Sequence, residues 1–204
     1  MTRTPLYLKL FVFIFVALFL KPDLVLAVGS IDNTNANLPS FADFDKSVQN
    51  GQGNVLRGVY VPGVLALPIV QQPTIDPFYV SNRNGELTQF SLVSQYGNTG
   101  LLAHNTLSGK LFSQLSNGQE VRLIYGDGRI AYYVIESVLR FQALQPDSTS
   151  SSFRNLDRNE IISAGSMFNR AYMGGRRVVF QTCITANANS SWGRLFVVAF
   201  PKEQ

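Results

Sequence analysis

"EVRLIYGDGRIAYYVIESVLRF", Glu120 to Phe141, decides how the fold is read. Two runs rich in Val, Ile and Tyr flank Gly126-Asp127-Gly128. β-branched and aromatic residues suit a pleated, half-buried surface, and a Gly-Asp-Gly interruption suits a tight turn. The stretch therefore predicts an antiparallel hairpin. Similar signals recur in both directions along the chain. "VLRGVYVPGVLALPIV" (55–70) breaks at Pro62-Gly63 and predicts a second hairpin. "GLLAHN" (100–105) reads as a short apolar strand ending on polar residues. "RRVVFQTC" (176–183) and "RLFVVAFP" (194–201) read as two strands around a polar loop, "ITANANSSWG" (184–193). Helical signals are sparse. Leu111, Phe112 and Leu115 predict a short helix closed by Asn117-Gly118. "NEIISAG" (159–165) suggests one helical turn, and "LTQFSLVSQY" (87–96) is ambiguous. The stretch 142–177 shows no clear strand, and a connection this long is usually functional or mobile. Roughly eight short strands with one or two short helices predict an all-β domain, a barrel or a sandwich.

The amino-terminal end carries a different signal. Arg3 and Lys9 precede the apolar run "LFVFIFVALFL" (10–20), and Lys21-Pro22-Asp23 interrupts it. Val25 and Ala27 then supply the small-residue pattern that a signal peptidase favours. A spanning helix wants about 20 apolar residues, more than this run supplies. Residues 1–27 are therefore read as a signal peptide or a short membrane anchor, with cleavage after Ala27 favoured. Residues 28–54, rich in Asn, Gly, Ser and Asp, are read as a linker. The domain is expected over 55–204, on the extracytoplasmic side. It is either secreted or tethered to the outer face of the membrane, and it contacts membrane only if the amino-terminal segment is retained.

The net charge of +4 is mild and the cations are scattered, so nucleic acid is not an expected partner. The chain holds one cysteine, Cys183, and one histidine, His104. A zinc site built on Cys and His would need more ligands. No G-x-S-x-G elbow and no Walker loop is present. An exported chain normally pairs its cysteines, so a single one is either an intermolecular link or a free reactive thiol. Inert packing is the bland alternative for this thiol. Alternation along "VVFQTC" puts Val179, Gln181 and Cys183 on one face and Val178, Phe180 and Thr182 on the other. If the strands on either side of the polar loop pair antiparallel, Arg194 comes within side-chain reach of Cys183. A guanidinium there would favour the thiolate and could donate to a tetrahedral oxyanion.

Four stretches resemble the sortases, cysteine transpeptidases of bacterial cell surfaces. "VYVPGVLALPIV" (59–70) is similar to the family's opening strand pair. "GNTGLLAHN" (97–105) is similar to the segment that ends on its catalytic histidine. "KLFSQLSNGQEVRLIYGDGRIAYYVIESV" (110–138) is similar to its helix and following hairpin. "VFQTC" (179–183) is similar to its T-L-x-T-C signature, with Arg194 eleven residues on. Val179 and Phe180 depart from the signature's threonine and leucine. Ala103 stands where glycine commonly precedes the histidine, and Gln119-Glu120 where Gly-Asp is common. These departures mark a divergent member.

The resemblance implies an eight-stranded sortase-like β-barrel. It implies Cys183 as nucleophile, Arg194 as oxyanion donor and His104 as the acid for the leaving amine. Surface proteins carrying a sorting-signal peptide would be the substrates, and an amine on the cell wall or another protein the acceptor. No metal or organic cofactor is called for, and calcium dependence stays open. Thr182, Gln181 and Trp192 are carried over as candidate substrate contacts, and the stretch 142–177 as a wall of the peptide groove. Two alternatives stand beside the transpeptidase. One is a secreted cysteine peptidase in which water resolves the intermediate, and the other is a non-catalytic surface binding module on the same barrel.

Overall fold

A computed structural model describes residues 38–148 and 150–203 of the chain. Its ten strands are β1 (Leu56–Val61), β2 (Leu65–Gln71), β3 (Leu87–Gln89), β4 (Thr99–Leu102), β5 (Glu120–Tyr125), β6 (Ile130–Ala143), β7 (Phe153–Asn155), β8 (Ile161–Ile162), β9 (Val178–Ala186) and β10 (Asn189–Pro201). Eight of them close a ring in the order β10-β9-β4-β3-β2-β1-β5-β6 and back to β10. The barrel is mixed, because β2–β3 and β4–β9 are parallel and the other ring pairs antiparallel. β7 and β8 extend from β6 as a short flap. Closure leaves no bare edge in the ring.

Both hairpins read from the sequence are present, with Val61 opposite Leu65 and Ile124 opposite Ile130. Gly63 and Gly128 sit at φ of 73° and 83°, which a side chain would strain.

The barrel interior is apolar. Val59, Leu67, Leu101, Leu123, Phe180 and Val197 fill it, and Phe112 closes it edge-on against Phe180 at 5.3 Å. Phe112 lies on a 3-10 helix, Ser108–Gln114, where the sequence predicts a short helix. A second core lies outside the ring. There helix α3 (Ala164–Tyr172) lays Met167, Phe168, Ala171 and Tyr172 on Val179 and Phe196. Ser163 caps this helix by accepting from the Ser166 amide at 3.1 Å.

Helices are more numerous than expected: the described residues hold three α-helices and the 3-10 helix. Residues 87–96 resolve into β3 and a four-residue helix, α2 (Ser91–Ser94). "NEIISAG" forms β8 and the entry to α3. The stretch 142–177 therefore carries the end of β6, the β7–β8 flap and α3.

The linker reading also gives way in part. Helix α1 (Phe41–Val48) packs Phe44 beside Tyr60, and a Cβ on Gly58 would lie 2.9 Å from Val48. Arg122 stacks over Phe41 at 4.4 Å. The polar composition hid a short amphipathic face, with Phe41, Phe44 and Val48 at i, i+3 and i+7. The signal-peptide or anchor reading of 1–27 lies outside the described residues. Among those residues no helix is long and apolar enough to cross a membrane.

Candidate active site

The stretch read as a loop, 184–193, is mostly strand. β9 runs to Ala186 and β10 starts at Asn189. Asn187 and Ala188 turn the chain at φ of 51° and 59°, as a two-residue hairpin requires. The register then sets Arg194 directly opposite Cys183. Directly opposed residues share a face of the sheet. Val179 belongs to the outer core and Val178 and Phe180 to the interior, so Cys183 and Arg194 face outward.

His104 reaches the same row from the other side. β4 runs parallel to β9, with Leu102 beside Gln181. The chain continues in step past the end of β4. The Ala103 amide donates to the Gln181 carbonyl at 3.3 Å, and the Thr182 hydroxyl donates to the Ala103 carbonyl at 2.9 Å. Carried one residue further, that register aligns the backbone of His104 with that of Cys183. The segment is tied down again just beyond, where the Asn105 amide donates to Thr185 Oγ1 at 2.8 Å and to the Ser190 carbonyl at 3.1 Å. β4, β9 and β10 are neighbours, with Cys183 on β9, Arg194 on β10 and His104 two residues past the end of β4.

The electrostatics follow from burial. Cys183 is a free, partly buried thiol. Burial pushes its pKa up, and the Arg194 charge pulls it back down. Burial lowers the pKa of His104, opposed by a hydrogen bond to the Val80 backbone carbonyl. Arg194 is 2% exposed. Its Nη1 donates to the Ser191 and Gly193 carbonyls at 3.0 and 2.8 Å, and its guanidinium lies 5.8 Å from the Phe153 ring. Gly193 makes room for this arrangement, since a Cβ there would sit 2.4 Å from the Phe141 carbonyl.

Gln181 and Thr182, expected as substrate contacts, are occupied elsewhere. Gln181 is buried, and its amide oxygen accepts from the Tyr172 hydroxyl of α3. Thr182 is buried, and its hydroxyl forms the tie to Ala103. A Cβ on Gly109 would lie 2.4 Å from that hydroxyl, so the 3-10 helix closes over it. Both residues brace the site from within. Trp192 is partly buried in the bulged entry to β10.

Sequence reasoning missed Val80 and Asn105. Val80 acts through a backbone carbonyl and leaves no residue-type signal. Asn105 was visible only as a polar residue after the histidine. No group of three or more His, Cys, Asp or Glu side chains that could hold a metal ion occurs among the described residues.

The chain overlaps solved sortases. Sortase C of Clostridium perfringens SM101 is 15% identical, with 80% of this chain and 83% of that one covered at a TM-score of 0.45. Sortase A of Listeria monocytogenes is 13% identical, covering 73% and 88% at 0.46. Sortase C-1 of Actinomyces oris is 14% identical, covering 80% and 82% at 0.47. No family model matches the chain, and no curated protein matches it in sequence.

Proposed function

We propose that the protein is an extracytoplasmic cysteine transpeptidase of the sortase kind. One observation carries the reading: the only thiol in the chain lies opposite a buried guanidinium and beside the segment bearing the only histidine.

Cys183 passes its proton to His104, and the thiolate attacks the carbonyl carbon of a sorting-signal peptide bond. The carbonyl π electrons move to oxygen, where Arg194 donates to the tetrahedral oxyanion. Collapse restores the carbonyl and breaks the C–N bond, and the His104 imidazolium protonates the departing amine. The thioester on Cys183 is then attacked by an amine on the cell wall or a second protein. That amine's proton leaves through His104, and the thiol is regenerated. Because thiol and imidazole exchange one proton, they titrate as a pair. The chemistry calls for no cofactor.

Intact-mass measurement tests the reading. Wild type and Cys183→Ala are incubated with sorting-signal peptides, with and without an added amine such as triglycine. The expected result is an acyl adduct on wild type alone, converted to an amide product by the amine. Release by water alone, with amine present, would make the protein a peptidase. No adduct and no cleavage across a broad peptide panel would overturn both.

A further inference from the structure

A cavity of 480 Å³ lies on the outer face of β6 and β10, away from the Cys183 row. Leu139, Val198 and Phe200 supply an apolar wall, and Arg158, Arg170 and Arg177 supply the cations. These arginines come from three separate segments: the β7–β8 turn, α3 and the residue ahead of β9. Among the lining residues they face one carboxylate, Asp157, which lies 3.9 Å from Arg140.

The three arginines are not equally committed. Arg170 holds Glu160 through two N–H groups, at 2.8 and 3.2 Å, which leaves its other donors available. Arg158 is exposed. Arg177 makes no ion pair among the described residues. Its Nε donates to the Gly175 carbonyl at 2.9 Å, and its guanidinium lies 5.0 Å from the Phe200 ring centre. Its Nη1 also donates to the Ala171 carbonyl at 3.5 Å, so two carbonyls and the Phe200 ring together account for the orientation of Arg177. Asp157 and Glu160 offset part of the charge, but among the described residues neither Arg158 nor Arg177 is engaged in an ion pair, so two lining guanidinium groups stand beside the apolar wall.

The geometry points to a binding site for a small organic anion, a carboxylate or phosphate carried on an apolar or aromatic body. The anion seats among Arg158, Arg170 and Arg177, where planar guanidinium groups match its oxygens. The body lies on Phe200, Val198 and Leu139. The volume falls in the usual range for small-molecule sites, about 300–1,000 Å³. Val198 is four residues along β10 from Arg194, about 13 Å at the usual strand rise, so this site is separate from the thiol.

Titration of the full-length chain with phenyl phosphate and with benzoate, followed by ¹H–¹⁵N spectra, tests the site. Inorganic phosphate and benzyl alcohol serve as half-ligands. At least one aromatic anion is expected to bind saturably and at least about tenfold more tightly than either half-ligand. The arm that binds better distinguishes phosphate from carboxylate. Arg177→Gln is expected to weaken binding at least about tenfold, the scale of one lost charge-assisted contact. Arg158→Gln, at an exposed position, keeps the test readable if the first variant is unstable, and should also weaken binding. No saturable binding by wild type would overturn the proposal. So would equal binding by wild type and Arg158→Gln, or inorganic phosphate binding as tightly as phenyl phosphate.

Discussion

The two faces of β9 alternate along the same residues yet end differently. On the inner face, Val178 and Phe180 lead to Thr182, which is still buried and hydrogen-bonded to Ala103. On the outer face, Val179 packs under α3, Gln181 meets Tyr172, and Cys183 emerges partly open. The thiol occupies the first outer position beyond the α3 cover, and its inner-face neighbour Thr182 is still buried. A reactive group thus stands on a strand whose reverse side is immobilised, and such support is what a preorganised site needs.

Each face can be tested separately. Phe180→Ala removes the ring that meets Phe112 and is expected to cost about 3–5 kcal/mol in urea denaturation. A loss under about 1 kcal/mol would mean that the interior is not organised around this ring. On the outer face, Arg194→Lys keeps the charge but loses the planar fork. Adduct formation with an accepted peptide should fall about 10²–10³-fold, the scale of a lost oxyanion donor. An unchanged rate would remove Arg194 from the chemistry.

Smaller effects address the joint between the faces. Thr182→Val deletes the tie to Ala103 and should cost about 1 kcal/mol of stability. It should also change the pH profile of Cys183 alkylation by iodoacetamide, because the segment that carries His104 loses a tie to β9. A stability loss with an unchanged profile would make the tie purely structural. The least effect expected is on acid stability. The folded state lowers the His104 pKa, so below about pH 6.5 the unfolded chain binds a proton that the folded one resists. Stability should therefore fall as pH drops from about 6.5 toward the lowered folded value, and His104→Gln should flatten that part of the curve. Parallel curves for wild type and variant would show that burial of His104 contributes nothing.

Local regularities made part of this legible from the sequence. The Gly-Asp-Gly turn between two β-rich runs named its hairpin, and period-two alternation sorted Val178, Phe180 and Thr182 from Val179, Gln181 and Cys183. The Cys183–Arg194 pairing followed from taking the strands on either side of the polar loop 184–193 as an antiparallel pair, although that loop proved to be mostly strand. Helix α1 was obscured because eight amphipathic residues lie in an Asn- and Gly-rich surrounding. The partners of Gln181 and Thr182 were invisible for another reason: a polar side chain on a strand reads alike whether it meets a ligand or a buried hydrogen-bond partner.

The sequence by itself determined an all-β chain, its hairpins, the faces of β9 and a short inventory of reactive groups. Those follow from periodicity and from residue types that occur once. Tertiary structure decided that β4 lies parallel to β9, bringing Ala103 to Thr182 across 79 positions of chain. It also decided that β6 closes on β10. Parallel pairing and ring closure join distant segments through backbone hydrogen bonds, which any residue except proline supplies from both N–H and C=O. No side-chain pattern therefore announces them.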